Sequence, residues 1–292
     1  MPTDAPPFRD TPYMITRRNF LRSTATSSCL GLATGLYTWR WETHWVEVVE
    51  RPLPLANLPD RLRGARLIQL SDIHIGPRVE DSYLCRVFDE VRALDPDIVA
   101  YTGDFTSYEA DELRHAARMF PRLPRGRRAT VGILGNHDYG PAWSRPDHSD
   151  RIAALASASG VRILRNEILN VDGLQVIGLD DLWARRFHPE KVWPSLQPGS
   201  ANLALSHNPD TVDEPVWAGY QGWILCGHTH GGQCKPPFLP PPILPVKNRN
   251  YVAGEYALAG DRRMYINRGL GHLMQVRFNV RPEITVFHLE PA

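Results

Sequence analysis

The chain has almost no net charge: Lys+Arg 33 against Asp+Glu 32 leaves +1. No global field draws it to nucleic acid or to an anionic surface, so any phosphate recognition must be built locally. A basic stretch interleaved with aromatics is also missing, and no nucleic-acid partner is expected. Paired thiols are absent. Cys29, Cys85, Cys226 and Cys234 show no C-x-x-C spacing, which argues against a thiolate zinc site and against a dense disulfide framework. The least charged stretch, from Ser23 to about Trp39, is rich in Ser, Thr and Gly and is short for a membrane span, which needs ~20 apolar residues. No internal repeat appears. What remains is ordinary globular composition, 42% hydrophobic and 22% charged over 292 residues, enough for one large or two ordinary domains with a full core.

Residues 1 to about 15 are polar and proline-bearing, and then comes Thr16-Arg17-Arg18-Asn19-Phe20-Leu21-Arg22, ahead of the uncharged stretch. This resembles a twin-arginine export signal. It implies a signal or weak membrane anchor over residues 1–45, the twin-arginine machinery as a partner, and a place in the periplasm or on the outer face of the cytoplasmic membrane. The plainer alternative is a basic N-terminal arm. Trp39, Trp41 and Trp45 suit a membrane surface, but the alternation from Trp45 to Glu50 favours the start of the packed domain, taken here as 46–292.

From Arg66 onward one theme repeats: an apolar β-branched run, a polar cluster at its C-terminal end, then a helical pattern. Leu67–Leu70 leads into Ser71-Asp72-Ile73-His74, and Tyr83, Leu84, Val87, Phe88, Val91 and Leu94 then share one helical face. Ile98–Tyr101 ends in Thr102-Gly103-Asp104. Thr130–Leu134 ends in Gly135-Asn136-His137-Asp138, with helices expected over Asp111–Phe120 and Asp150–Ser159. A hairpin about Asp172-Gly173 runs into Asp180-Asp181, Leu203–Ser206 ends at His207, and Trp223–Cys226 ends in Gly227-His228-Thr229-His230-Gly231-Gly232. Six prolines between Pro236 and Pro245 make a stiff segment, expected as a loop along one rim of a site.

Asp72, His74, Asp104, Asn136, His207, His228 and His230 thus gather at strand ends, the edge where layered α/β folds build sites. Singly, each has a plain structural reading: carboxylates cap helices, Asn occupies turns, and a histidine can be a satisfied core residue. The two histidines one residue apart share a face if their backbone is extended. Jointly, oxygen and imidazole donors without thiolate suit Mn, Fe or Zn.

In order and approximate spacing these motifs resemble the calcineurin-like metallophosphoesterase family over about residues 60 to 290, in the branch carrying twin-arginine signals. The resemblance implies an α/β fold, a two-sheet β-sandwich flanked by helices in four αββα layers. It implies two divalent metal ions, one held by Asp72, His74, Asp104 and His230, the other by Asp104, Asn136, His207 and His228, with Asp104 as the bridge. The implied activity is hydrolysis of a phosphoric ester by metal-hydroxide attack, a diester rather than a monoester, with lipid- or sugar-linked or cell-wall phosphates of the envelope as substrates. A non-catalytic envelope protein that binds phosphorylated ligands is the alternative from another class. His137 is the candidate general acid or phosphate-oxygen stabiliser, and Asp138 is expected to orient a histidine from behind. Asp180, Asp181 and Arg277 are weaker candidates for a substrate rim, with a solvated loop as the competing reading. No arginine clamp is evident near the motifs.

Overall fold

The computed structural model describes residues 16–107, 111–217 and 219–292; the polar, proline-bearing residues ahead of Thr16 lie outside them. Twelve strands among the described residues form two six-stranded sheets. In the first, β1 (Glu47–Leu55), β12 (Glu283–Pro291), β2 (Arg66–Leu70), β3 (Ile98–Thr102), β4 (Ala129–Ile133) and β5 (Arg162–Ile163) lie side by side in that order. The second runs β10 (Gly254–Ala257), β11 (Arg262–Ile266), β9 (Gly222–Cys226), β8 (Asn202–Leu205), β7 (Leu174–Gly178), β6 (Glu167–Val171).

Period-two alternation explains the layering. On β3, Ile98 and Ala100 point into the apolar space between the sheets, while Val99 and Tyr101 face the helices. On β9, Trp223 and Leu225 face inward and Ile224 and Cys226 outward. Both faces are buried, so these strands read as continuous apolar runs, as parallel strands under cover do. Outside the first sheet pack α2 (Asp81–Ala93), α3 (Glu112–Met119) and α4 (Pro146–Ala158). The α4 helix starts earlier than the periodicity indicates because Pro146 sits in its first turn, where a missing N–H costs nothing. The cover on the second sheet is made of short 3₁₀ turns, Pro189–Lys191, Trp193–Ser195 and Pro209–Asp213, each with proline in its first turn. The chain is therefore α/β, a two-sheet sandwich with helical layers on both sides.

β2, β3 and β4 are parallel, as are β7, β8, β9 and β11. Their C-terminal ends come together at one edge of the sandwich, where the buried Gln69 amide donates to Thr102 Oγ1 at 3.0 Å and to the Cys226 carbonyl at 2.8 Å, tying the two sheets at the site.

Arg17 and Arg18 open a 20-residue helix, α1 (Arg17–Leu36), none of whose residues is buried. No helix among the described residues is long and apolar enough to cross a membrane. The turn after it docks through polar groups: Glu42 is buried and accepts from the Val280 N–H at 2.7 Å. The three tryptophans placed at the start of the packed domain stay at its surface. Trp39, Trp41 and Trp45 are 51%, 68% and 47% exposed, because the buried positions of this turn, Thr38, Glu42 and Thr43, are filled by residues that bond backbone.

Candidate metal centre

Five side chains of the site are carried on left-handed backbone. Asp72, His74, Asp104, His228 and His230 have φ of 49°, 52°, 53°, 71° and 50°, each at a cost of order 1–3 kcal/mol that the surrounding packing must offset. The sequence expectation of an extended His-x-His is corrected here: Thr229 is right-handed between two left-handed histidines, so the imidazoles diverge. His230 joins Asp72 and His74, and His228 joins Asp104 and His207. Of the neighbouring glycines, Gly227 has the tightest demand, since a Cβ there would collide with the Ser71 hydroxyl and the Asp72 carboxylate.

In the first cluster His230 Nε2 lies 3.2 Å from Asp72 Oδ1 and 3.1 Å from His74 Nε2. In the second, His207 Nε2 lies 3.1 Å from Asp104 Oδ2 and 3.3 Å from His228 Nδ1. The same Asp104 Oδ2 is 3.9 Å from His74 Nε2, so one carboxylate oxygen faces both clusters. The backbone cross-links them as well. His228 N–H donates to both oxygens of Asp72 at 3.1 and 3.0 Å, and His137 N–H donates to Asp104 Oδ1 at 2.8 Å.

Outer hydrogen bonds assign the tautomers. His207 Nδ1 donates to the Thr102 carbonyl at 2.7 Å, His74 Nδ1 to the Thr106 carbonyl at 3.3 Å, and His228 Nε2 to the Pro245 carbonyl at 2.8 Å. Nε2 of His74 and Nδ1 of His228 are thereby left to present lone pairs toward the two clusters, where a cation would accept them. Both amide atoms of Asn136 are buried without a hydrogen-bond partner, an orphan that a metal would satisfy. Electrostatics agree. Burial pushes Asp104 up, but His207 and His137 outweigh it and hold the carboxyl well below its usual range. Burial likewise pushes His207 down, and Asp104 overrides it, up to about 10. Burial lowers His228 to about 3 and His74 well below an ordinary imidazole. The donors fit divalent metal, with oxygen and nitrogen and no sulfur.

A cavity of about 230 Å³ opens over these groups, lined by Asp104, His137 and His228 at its floor and by Ile243, Leu273 and Met274 on its walls. His137 stands edge-to-face against His74, with 5.1 Å between ring centroids, and burial lowers its pKa. The proline-rich segment does form part of the rim, through Pro242, Ile243 and Pro245.

Four sequence expectations are corrected. Asp138 bonds no histidine. Its buried carboxylate accepts from the N–H groups of Gly135, Phe105 and Thr106 at 3.0, 3.2 and 3.1 Å, locking the loops after β3 and β4 together; it reaches His74 only at one remove, through the Thr106 peptide. Arg277 is not at a rim. It is fully buried, and its guanidinium donates to the carbonyls of Arg268, Gly269 and Gly271 at 3.0, 3.1 and 2.8 Å, bracing the loop whose Gly269 abuts Asp72. Asp180 and Asp181 are neither rim nor solvated loop. Asp180 accepts from Tyr139 Oη at 2.6 Å and Arg165 Nε at 3.1 Å, and Asp181 caps the Ala184 N–H at 2.7 Å, positioning the turn that carries Trp183. Arginines are also closer to the site than the motifs indicate: Arg185 and Arg186 line a cavity that shares Trp183 with the metal cavity. The signal was present in Asp181-Leu182-Trp183-Ala184-Arg185-Arg186, just beyond the carboxylates the sequence singles out. All four cysteines are free, and Cys226 packs as a buried apolar residue.

Comparison with known proteins agrees with this geometry. The family model described as calcineurin-like phosphoesterase matches residues 65–232. The chain is 31% identical over 285 residues to Phosphodiesterase YaeI of Escherichia coli, covering 94% of this chain and all of that one. It is 29% identical over 308 residues to the UDP-2,3-diacylglucosamine pyrophosphatase LpxG of Chlamydia trachomatis, covering 87% and 93% of the two chains. It is 31% identical over 293 residues to the metallophosphoesterase YkuE of Bacillus subtilis, covering 94% and 98%. The chain belongs to the calcineurin-like phosphoesterase family and is a metal-dependent phosphoesterase.

Proposed function

We propose that this chain is an exported phosphodiesterase of the cell envelope that works with two divalent ions, one held by Asp72, His74 and His230, the other by Asn136, His207 and His228, with Asp104 shared. The observation that carries the reading is the position of Asp104 Oδ2, 3.1 Å from His207 Nε2 and 3.9 Å from His74 Nε2. Two such ions, of the Mn, Fe or Zn type, would supply Lewis acidity toward the phosphoryl oxygens and a nucleophile at neutral pH. The chain's own groups do the rest. Asp104 and the imidazoles hold the charge in place, and His137, on the cavity floor, donates a proton to the leaving oxygen or a hydrogen bond to a phosphoryl oxygen. Trp183, Ile243, Leu273 and Met274 give the space above them apolar walls.

Two features favour a diester. No arginine or lysine lines the metal cavity among the described residues, so the second negative charge of a monoester finds no side-chain partner there. The relative from E. coli also bears the name of a phosphodiesterase. An envelope substrate with a lipid part is supported by the apolar cavity walls, by the chlamydial relative's name, and by exposed apolar side chains, Phe238 and Leu239 on the proline-rich loop and Ile243 and Met274 on the walls. Trp39 and Trp41, exposed beside the Gln275 side chain that reaches the Trp39 carbonyl, suit contact with a membrane surface. Export rests on the Arg17-Arg18 motif.

The test is turnover of bis-aryl and mono-aryl phosphates with added Mn, before and after chelation. Chelator-sensitive preference for the bis-aryl ester is expected. Preference for the mono-aryl ester makes the chain a monoesterase, and ligand binding without turnover makes it a binding protein.

A further inference from the structure

The turn that follows α1, residues 37–44, supplies nothing to the metal clusters themselves, yet it holds the loop ahead of β12. The Thr38 carbonyl accepts from the Arg277 N–H at 3.0 Å, the Trp39 carbonyl from Gln275 Nε2 at 3.4 Å, and Glu42 Oε1 from the Val280 N–H at 2.7 Å. Glu42 makes its contact through a side chain that is 1% exposed. Burying a carboxylate is costly unless it is bonded, so its place in this turn calls for a reason. Val280 is gripped from both sides: Glu42 takes its N–H, and Arg277 Nη1 donates to its carbonyl at 3.3 Å.

From Val280 the contacts run on to the ligands. Arg277 Nη2 bonds the Gly269 and Gly271 carbonyls, while the Leu270 and Gly271 N–H groups donate to the carbonyls of Ser71 and Asp72 at 3.0 and 2.7 Å. A Cβ on Gly269 would meet both the Asp72 side chain and the His230 ring, and one on Gly271 would collide with the Ile73 carbonyl and His74. Residues 269–271 therefore pack against every donor of one cluster, Asp72, His74 and His230. The other cluster is held from elsewhere. The His137 N–H fixes Asp104, and the Thr102 and Pro245 carbonyls fix His207 and His228.

Resting on the two-ion reading above, we propose that Glu42 is a positioning residue for one ion: it docks the turn after α1 onto Val280, and through Arg277 and residues 269–271 that contact sets the Asp72, His74 and His230 cluster while leaving the His207 and His228 side unaffected. The end of the segment read from the sequence as a signal or weak anchor is then also part of the support of the metal site.

The probe is manganese alone, titrated calorimetrically into the full chain in two backgrounds: His207→Gln, which leaves the Asp72 cluster intact, and His230→Gln, which leaves the other. Adding Glu42→Ala should weaken binding about tenfold in the first background, the lower end of what groups behind metal ligands contribute, and leave it unchanged in the second. Glu42→Gln keeps an acceptor for the Val280 N–H and should recover most of the loss. No weakening in the first background, equal weakening in both, or a Gln variant as weak as the Ala overturns the proposal. If Glu42→Ala does not fold, Glu42→Asp, one methylene too short for Val280, replaces it under the same criteria. A second readout needs no metal. In chelator, the Leu270 and Gly271 amides of Glu42→Ala should exchange about tenfold faster than in the wild type. Exchange is measured against Ile224, buried in β9 of the other sheet, so that a general loss of stability cancels. Unchanged exchange of these two amides overturns the proposal, even where His207→Gln binds no manganese. A wild-type chain that binds a single ion, with both Glu42 effects present, overturns only the two-ion reading. One that binds two ions with neither effect overturns only the role of Glu42.

Discussion

His207 and Asp104 are joined at 3.1 Å, Nε2 to Oδ2, and the orientation of that contact is fixed from outside by the Thr102 carbonyl, 2.7 Å from His207 Nδ1. Thr102 is the last residue of β3 and Asp104 lies two residues further on, so one strand end supplies both the carboxylate and the group that aims the imidazole at it.

Asp104→Asn keeps the shape of that contact and removes its charge. Turnover should fall by about 10³-fold, the scale of a principal electrostatic element of a site. Metal content measured on the same sample should fall below that of the wild type at both clusters. An active variant with full metal content would remove Asp104 from its shared position.

His137→Ala separates two roles. Turnover of esters with poor leaving groups should drop ~10²-fold or more, and activated aryl esters should lose far less, because only the former need a proton delivered to the departing oxygen. Equal losses would leave His137 as a phosphate-oxygen donor alone.

Arg277→Met tests whether the residue braces or recognises. With the carbonyls of Arg268, Gly269 and Gly271 left unpaired, stability should fall by about 3 kcal/mol, read from the urea midpoint. KM for a bis-aryl phosphate should move little in whatever fraction remains folded. A large rise in KM with unchanged stability would return Arg277 to the rim.

His272 sets an acid limit. It is fully buried, 3.1 Å from the Arg78 carbonyl, and burial pulls its pKa down to about 4. The unfolded chain takes up this proton near the ordinary imidazole value and the folded chain does not, so stability rises with pH between those limits. It is fully present above the unfolded value and lost as pH falls below it. Between pH 7 and pH 5 the loss should be about 2 kcal/mol. His272→Gln should flatten that slope when urea midpoints are compared in chelator, where metal release makes no contribution.

Much of the architecture was legible because each parallel strand is a short apolar run with its polar cluster directly behind it. Ile98 to Thr102 followed by Gly103-Asp104 is the pattern in miniature. Adjacency in sequence is all that such a pattern requires. What stayed hidden depends on how loops close on themselves and on one another. Nothing local about Arg277 indicates that three carbonyls will surround it, and nothing about Asp138 that its carboxylate will hold the loops after two strands. Asp180 and Asp181 resemble a polar loop until Tyr139, Arg165 and Ala184 are brought to them. Left-handed backbone is uncommon for any residue with a Cβ, so nothing local announces it at His228 and His230.

The placement of β12 governs when the metal site can exist. Val286 pairs with Ile68 and Glu50 with Val286, so a strand near the C-terminal end is wedged between β1 and β2. Without it β2 has no neighbour on that side, and the Gly269–Gly271 loop that closes over Asp72 loses the Glu283 N–H bonded to the Gly269 carbonyl at 3.2 Å. A variant truncated before Glu283 should therefore bind less metal than the full chain, read as metal content per protein.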